Sequence, residues 1–350
     1  MSYTGARKWR GGLGRALTGM ILVSILAMVS LAIHKSATRE GREQVAMPVT
    51  SGSRSAAPST SEPPTSPKLG DVWANPRDGM ELVYVPPGEF SLGLSDRQIE
   101  RLLKDDPTAD REWVFGDAQP QSILRTPGFW IGRTEVTNAQ YLIFVRAVGH
   151  RAPQHWERGR IPVGTEQFPV TYVDRSDAEA YCKWAGLRLP TEFEWEKAAR
   201  GSDGRLFPWG DDWSAGYCRN FQIVTGNRVV MNWETWLSEY DKWSGSHSGT
   251  REGMAAVGSY PKDKSPYGCL DMAGNVFEWC SDWYDAGAYG RYAKGDMAPA
   301  GDGKHAILRG GAWYRSSPVL FCSAYRGFHP PIRYRLDNAG FRCARDVIRK

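Results

Sequence analysis

PVTYVDRSDAEAYCKWAGLRLPTEFEWEKAARG, residues 169–201, holds two helix starts and two helix stops in one short stretch. Asp174 or Ser176 can cap a first helix that stops at Gly186, and Thr191 with Glu194 forms a capping box for a second that Gly201 ends. Between them, GLRLP fits a strand and a proline break into a few residues. Upstream, FWIGRTEVTNAQYLIFVRAVG (residues 129–149) repeats the pattern: Thr137 with Gln140 starts a helix, Tyr141, Ile143 and Phe144 give it an apolar face, and Gly149 closes it. MELVYVPPGEFSLG (residues 80–93) reads as strand, turn, strand. After Gly201 the helical periodicity disappears into short aromatic segments separated by Gly, Asn, Asp and Pro. No fixed repeat period is present. These features predict a single α+β domain, with a few helices on an irregular, mostly antiparallel sheet framework.

The chain of 350 residues carries 15 tryptophans, 38 glycines and 22 prolines, the composition of a loop-rich globule rather than a helical bundle. Tryptophan supplies apolar area together with an N–H that needs a partner, which suits a core lying under irregular loops. A net charge of +5 is small for this length, and much of the excess sits in the N-terminal tail, so nucleic acid is not an expected partner.

Residues 1–16 contain Arg7, Lys8, Arg10 and Arg15, and Leu17–Ile33 follow without a charge. The run is near the lower limit of roughly 17 residues for a spanning helix. It predicts an anchor over 17–34, with the basic tail in the cytoplasm and the rest of the chain outside. A cleaved signal peptide is the alternative, but LAIHKSATRE offers no clean small-x-small site. Residues 35–70, rich in Ser, Pro and Thr, read as a disordered tether, and residues 71–348 as the folded domain. The six cysteines (Cys182, Cys218, Cys269, Cys280, Cys322 and Cys343) all follow the tether, and an even count outside the cytoplasm favours disulfides. Among the histidines, only His150 and His155 are close in sequence, and they read as ordinary surface residues.

GRTEVTNAQY, the opening stretch, FPWG, YGCLDMAGNVFEWCSDWY, LRGGAWY, SAYR and NAGFRC occur in this order. Together they resemble the formylglycine-generating enzyme (sulfatase-modifying factor) family over about residues 78–347. The resemblance implies a C-type-lectin-like fold. It also implies, in true formylglycine generators, oxidation of a sulfatase cysteine by oxygen and copper(I) held by two cysteines just after a Gly-Gly pair. A thiolate pair suits that soft metal. Here Gly310 and Gly311 match the glycines, Ala312 stands for the usual serine, and Arg315 falls where the first copper-binding cysteine belongs. Pro318–Leu320 hold no second thiol, so copper is not expected.

The same resemblance implies calcium held by Asp271, the carbonyls of Gly274 and Val276, and Glu278, hard oxygen donors in one tight loop. A second family site would use Asn220 and the carbonyl of Phe221, but its aspartate is replaced by Gly249. Cys182 and Cys343 match a family disulfide, whereas Ala199 replaces a partner of the other. Cys280 with Cys322, and Cys218 with Cys269, are the remaining possible pairs; left free, Cys322 is the one candidate thiol in the loop. Glu135, Glu192, Glu194, Arg188, Arg326 and Arg342 read as buried ion pairs bracing loops. Arg309, Trp313, Tyr314, Arg315, Tyr325 and Arg326 flank the place where this fold sets its pocket, and arginine with aromatics suits a peptide or an anionic group. Three functions follow in order: modification or binding of a peptide or envelope substrate other than a sulfatase cysteine, a non-catalytic envelope module, and formylglycine generation with an unrecognised thiol arrangement.

Overall fold

The computed structural model describes residues 62–227, 233–247, 252–298, 303–326 and 330–348. The chain divides into two units, Met1–Ser55 and Ala56–Lys350, and every described residue belongs to the second. The anchor expected at 17–34 and most of the tether lie outside the described residues. Among those described, no helix is long and apolar enough to cross a membrane. The end of the expected tether is tied down, because Glu62 pairs with Arg345.

Helices form where the capping residues predict them. Thr137 and Gln140 cap α3 (Asn138–Val148), Asp174 rather than Ser176 caps α4 (Arg175–Ala185), and Thr191 and Glu194 cap α5 (Glu192–Arg200). Each box satisfies orphan N–H groups at the first turn, and Gly149 and Gly186 end their helices in the left-handed region. A fourth box, Ser95 with Gln98, starts α1 (Asp96–Asp105). The short α2 (Arg111–Phe115), α6 (Phe221–Thr225) and α8 (Ala288–Tyr292) fill connections. Helix α7 (Trp233–Ser246) corrects the expectation that helices end at Gly201. Its Trp236, Tyr240 and Trp243 recur at i, i+4 and i+7, a stripe concealed by the small and polar residues around it.

Three small sheets frame these helices. One has the order β1 (Val72–Ala74), β2 (Glu81–Val85), β5 (Phe129–Gly132), β9 (Ala344–Asp346), antiparallel throughout. Strand β3 (Gly88–Leu92) leaves that sheet after the Pro86-Pro87 break and pairs with β4 (Ser122–Thr126). The third sheet centres on β6 (Phe277–Trp283), antiparallel to β7 (Ala306–Arg309) and parallel to β8 (Ala339–Gly340). Helix α5 lies at the heart of the domain. Its Trp195, Ala198 and Ala199 pack with Val83, Val85, Phe129 and Ile131 of the first sheet and with Cys280 and Ile307 of the third. The result is a mixed α/β domain whose C-terminal loops emerge over one buried helix.

Candidate functional site

The loop after β7 turns at Gly310 and Gly311, both in the left-handed region. A Cβ on Gly311 would lie 2.8 Å from the Phe321 ring and 2.9 Å from the Leu320 carbonyl, so glycine is required on both counts. From there the chain runs through Ala312–Arg315 to a short 3-10 turn, Pro318–Phe321.

The expected pocket residues divide. Arg309 and Arg326 are fully buried and face inward, so they brace the loop instead of lining an open face. Arg309 donates to Glu196 Oε2 at 2.7 Å and to the Ser323 carbonyl at 2.7 Å. Glu196 also accepts from Arg200 at 2.8 Å and from Tyr289 at 2.6 Å. Burial pushes the Glu196 carboxyl up, but the Arg309 and Arg200 guanidiniums hold it below its usual range. Arg326 meets Glu192 at 2.7 Å and lies over the Tyr289 ring. Arg188 meets Glu194 at 2.7 Å. The bracing role expected for Arg188, Arg326, Glu192 and Glu194 is what their contacts describe.

Trp313, Tyr314 and Tyr325 are buried, and Arg315 is half-buried. Helix α7 covers them: Trp236 Nε1 donates to the Tyr314 carbonyl at 2.5 Å, Tyr240 lies 6.0 Å from the Tyr314 ring, and Trp243 lies 5.0 Å from that of Trp313. The Arg315 guanidinium sits 5.1 Å from the Trp236 ring centre and 4.7 Å from that of Tyr314, within cation–π range of both. This position, expected for a copper thiolate, holds a cation on aromatic walls. Cys322 is buried away from it, with its thiol pushed up to about 11 by burial. A protonated thiol without a second sulfur does not fit copper(I).

All six cysteines are buried thiols. Cys182 and Cys343 bring their sulfurs to 3.3 Å, close but unbonded. Cys269 and Cys280 pack in one apolar cluster, Cys218 and Cys322 in another, so the pairs Cys280–Cys322 and Cys218–Cys269 each join residues of different clusters.

Around the expected calcium loop, Asp271 has a left-handed backbone and its Oδ2 accepts from the Gly258 amide at 2.5 Å. A Cβ on Gly274 would lie 2.2 Å from the Arg219 carbonyl, so only glycine lets these segments cross. Glu278 is already engaged: Arg342 donates to its two oxygens at 2.6 Å each, and Trp195 at 2.7 Å. Two acids missed from sequence join the cluster, Glu135 and Asp263, each with one buried oxygen lacking a hydrogen-bond partner. Burial pushes the Asp271 carboxyl up to about 6, and burial with nearby carboxylates raises Glu135 and Asp263 well above their usual range. Four carboxyls thus gather near one guanidinium, and the orphaned oxygens are groups a hard dication could satisfy. Among the described residues, no three acidic, histidine or cysteine side chains converge as a ready-made metal cluster. A calcium ion at this loop would therefore rely on carbonyls as well as carboxylates. At the second expected site, Asn220 caps α6 and the Phe221 carbonyl accepts from Thr225 at 2.8 Å, so both are used in structure.

His155 is not a surface group. Its ring lies 4.8 Å from that of Tyr172, and burial pushes the imidazole down to about 4. His150 meets Asp177 at 2.8 Å.

Residues 68–347 match the sulfatase-modifying factor enzyme 1-like domain. The formylglycine-generating enzyme of Streptomyces coelicolor is 32% identical over 320 residues, covering 78% of this chain and 92% of that protein. The hercynine oxygenase of Mycolicibacterium thermoresistibile is 31% identical over 278 residues, covering 69% of this chain but only 56% of the relative. Among solved structures, that of PvdO from Pseudomonas aeruginosa aligns with a TM-score of 0.57 at 23% identity, covering 80% of this chain and all of that one. This last likeness concerns the fold.

Proposed function

The chain belongs to the sulfatase-modifying factor enzyme 1-like domain family, and from that premise we propose that it is a membrane-anchored, extracytoplasmic member that binds or modifies a peptide or envelope substrate other than a sulfatase cysteine. The observation that carries this reading is Arg315, a half-buried guanidinium flanked by Trp236 and Tyr314 where copper chemistry needs sulfur. Such a group suits a carboxylate, a backbone carbonyl or another acceptor on an extended ligand. The anchor is the charge-free run Leu17–Ile33, flanked by basic residues. Calcium, held by Asp271, Glu278 and the Gly274 and Val276 carbonyls, belongs to the same proposal. Its role there is to neutralise surplus carboxylate, and the Cys182–Cys343 pair would close as a disulfide in an oxidising compartment.

The test combines copper(I) titration of the reduced protein with binding and oxygen uptake on envelope-derived peptides. No stoichiometric copper uptake is expected. Arg315→Ala is expected to weaken peptide binding by about 1.5–3 kcal/mol, the range for a hydrogen bond to a charged group, with little change in melting temperature. Unchanged binding in that variant would remove the site from this face. Binding without turnover would favour the alternative, a non-catalytic envelope module, whose support is that α7 and buried ion pairs already fill the loop's interior. Conversion of a sulfatase-derived cysteine to its aldehyde would favour the third reading.

A further inference from the structure

Asp337 sits beside this face and was absent from the sequence reading. Backbone bonds fix it on both sides: the Tyr172 amide donates to the Leu336 carbonyl at 2.8 Å, and the Phe277 amide donates to the Asn338 carbonyl at 2.9 Å. Tyr172 itself holds a left-handed backbone at φ 57°, strained for a bulky side chain and typical of positions where geometry serves a site. The phenols of Tyr172, Tyr240 and Tyr314 are all pushed up, first by burial and then in part by the Asp337 carboxylate. Asp337, Tyr172 and Tyr240 are half-buried, so the group keeps an open side.

No lysine or arginine pairs with Asp337 among the described residues, and its own backbone amide is the hydrogen bond that it feels. The nearby Arg335 is committed elsewhere, to Asp174 at 2.6 Å and Asp177 at 3.0 Å. Arg315 lies against Trp236 and Tyr314. A carboxylate among three phenol rings, without its own counter-ion, is the composition of a cation receptor: the rings offer their negative faces and the acid supplies the charge.

We propose that Asp337 with Tyr172, Tyr240 and Tyr314 forms a subsite for a cationic nitrogen group, ammonium or guanidinium, on the ligand received beside Arg315. It rests on the ligand-binding reading given above for that face. Arg315 and Asp337 would then read opposite charges on the same molecule.

The experiment titrates the full chain with N-acetyl-lysine methylamide, N-acetyl-arginine methylamide, tetramethylammonium and the neutral N-acetyl-norleucine methylamide, following tryptophan fluorescence. At about pH 8 the cationic probes are expected to bind roughly tenfold tighter than the neutral one, and Asp337→Asn to reduce that ratio to about one. Asp337→Glu is expected to keep the preference, which separates charge from mere shape. The lysine, arginine and tetramethylammonium arms decide which cation is taken. An equal affinity for norleucine, or a preference that survives Asp337→Asn, overturns the subsite. If Arg315→Ala abolishes peptide binding while Asp337→Asn leaves cation preference intact, this inference fails alone. If the cation preference depends on Asp337 but no envelope peptide binds, the proposed function fails and the subsite stands.

Discussion

Replacing Arg342 by methionine is expected to destabilise the folded domain by about 3–5 kcal/mol, the range for breaking a buried ion pair on one side only. Arg342 is fully buried and holds both oxygens of Glu278 at 2.6 Å. The same guanidinium donates to the Gly132 and Leu270 carbonyls at 3.0 Å each, joining the first sheet to the loop that carries Asp271. Without it, Glu278 keeps only the Trp195 N–H, and Glu135, Asp263 and Asp271 lose their shared positive charge. Urea unfolding of the two proteins measures the loss. The double variant Arg342→Met, Glu278→Leu is expected to recover a large part of it, because the cost lies in the stranded carboxylate. A loss below about 1 kcal/mol in the single variant, the size of an exposed pair, would mean that the pair is solvated.

Stability is expected to fall as pH rises from about 4 to about 8, the reverse of the common behaviour of salt-bridged carboxylates. Burial pushes Asp271 and Asp337 up to about 6 and Asp282 up to about 7, each from 3.8. A carboxyl whose folded value is raised contributes stability fully below its unfolded value, and that contribution is lost as pH passes through the folded value. For the buried Asp271 alone, moving from 3.8 to about 6 corresponds to about 3 kcal/mol lost by pH 8. Glu135 and Asp263 act in the same direction. Two groups oppose them: His155, held neutral by burial, becomes less costly as pH rises through about 4 to 6.5, and Glu196, held low by its arginines, costs stability only at more acid pH. Five acids outweigh one histidine, so the net slope is downward. Thermal melts in calcium-free buffer read the curve. Added calcium is expected to flatten its upper arm, since a dication favours the ionised carboxylates. A stability that climbs steadily to pH 8 without calcium would contradict the buried surplus of acid.

Much of the fold was legible because its signals are local. A Thr or Asp three residues before a Gln, Glu or Asp partner satisfies helix N–H groups within one turn, and a glycine after the last turn releases the chain; neither needs the rest of the molecule. Hence α3, α4, α5 and the strand–turn–strand at residues 80–93 follow from the letters alone. So does the family motif order, and with it the arginine standing where a thiol would be. Pairing is different. Nothing near Pro86-Pro87 says that β3 abandons β2 for β4, because strand partners are chosen by burial across the whole chain. Helix α7 escaped for a related reason: its stripe of three aromatics is stabilised by Trp313, Tyr314 and Arg315, which lie some 70 residues further on.

The chemistry of the site divides along the same line. The sequence by itself determined the residue types: a guanidinium after the Gly-Gly pair, no thiol beside it, and hard oxygens in the DMAGNVFE loop. Only the tertiary structure decided which charges meet. It turned Arg309 and Arg326 inward to Glu196 and Glu192, joined Glu135 and Asp263 to Asp271, and left Asp337 among three phenols. Charge pairing depends on distance and burial, and residues as far apart in sequence as Tyr172 and Asp337 become neighbours only once the chain has packed.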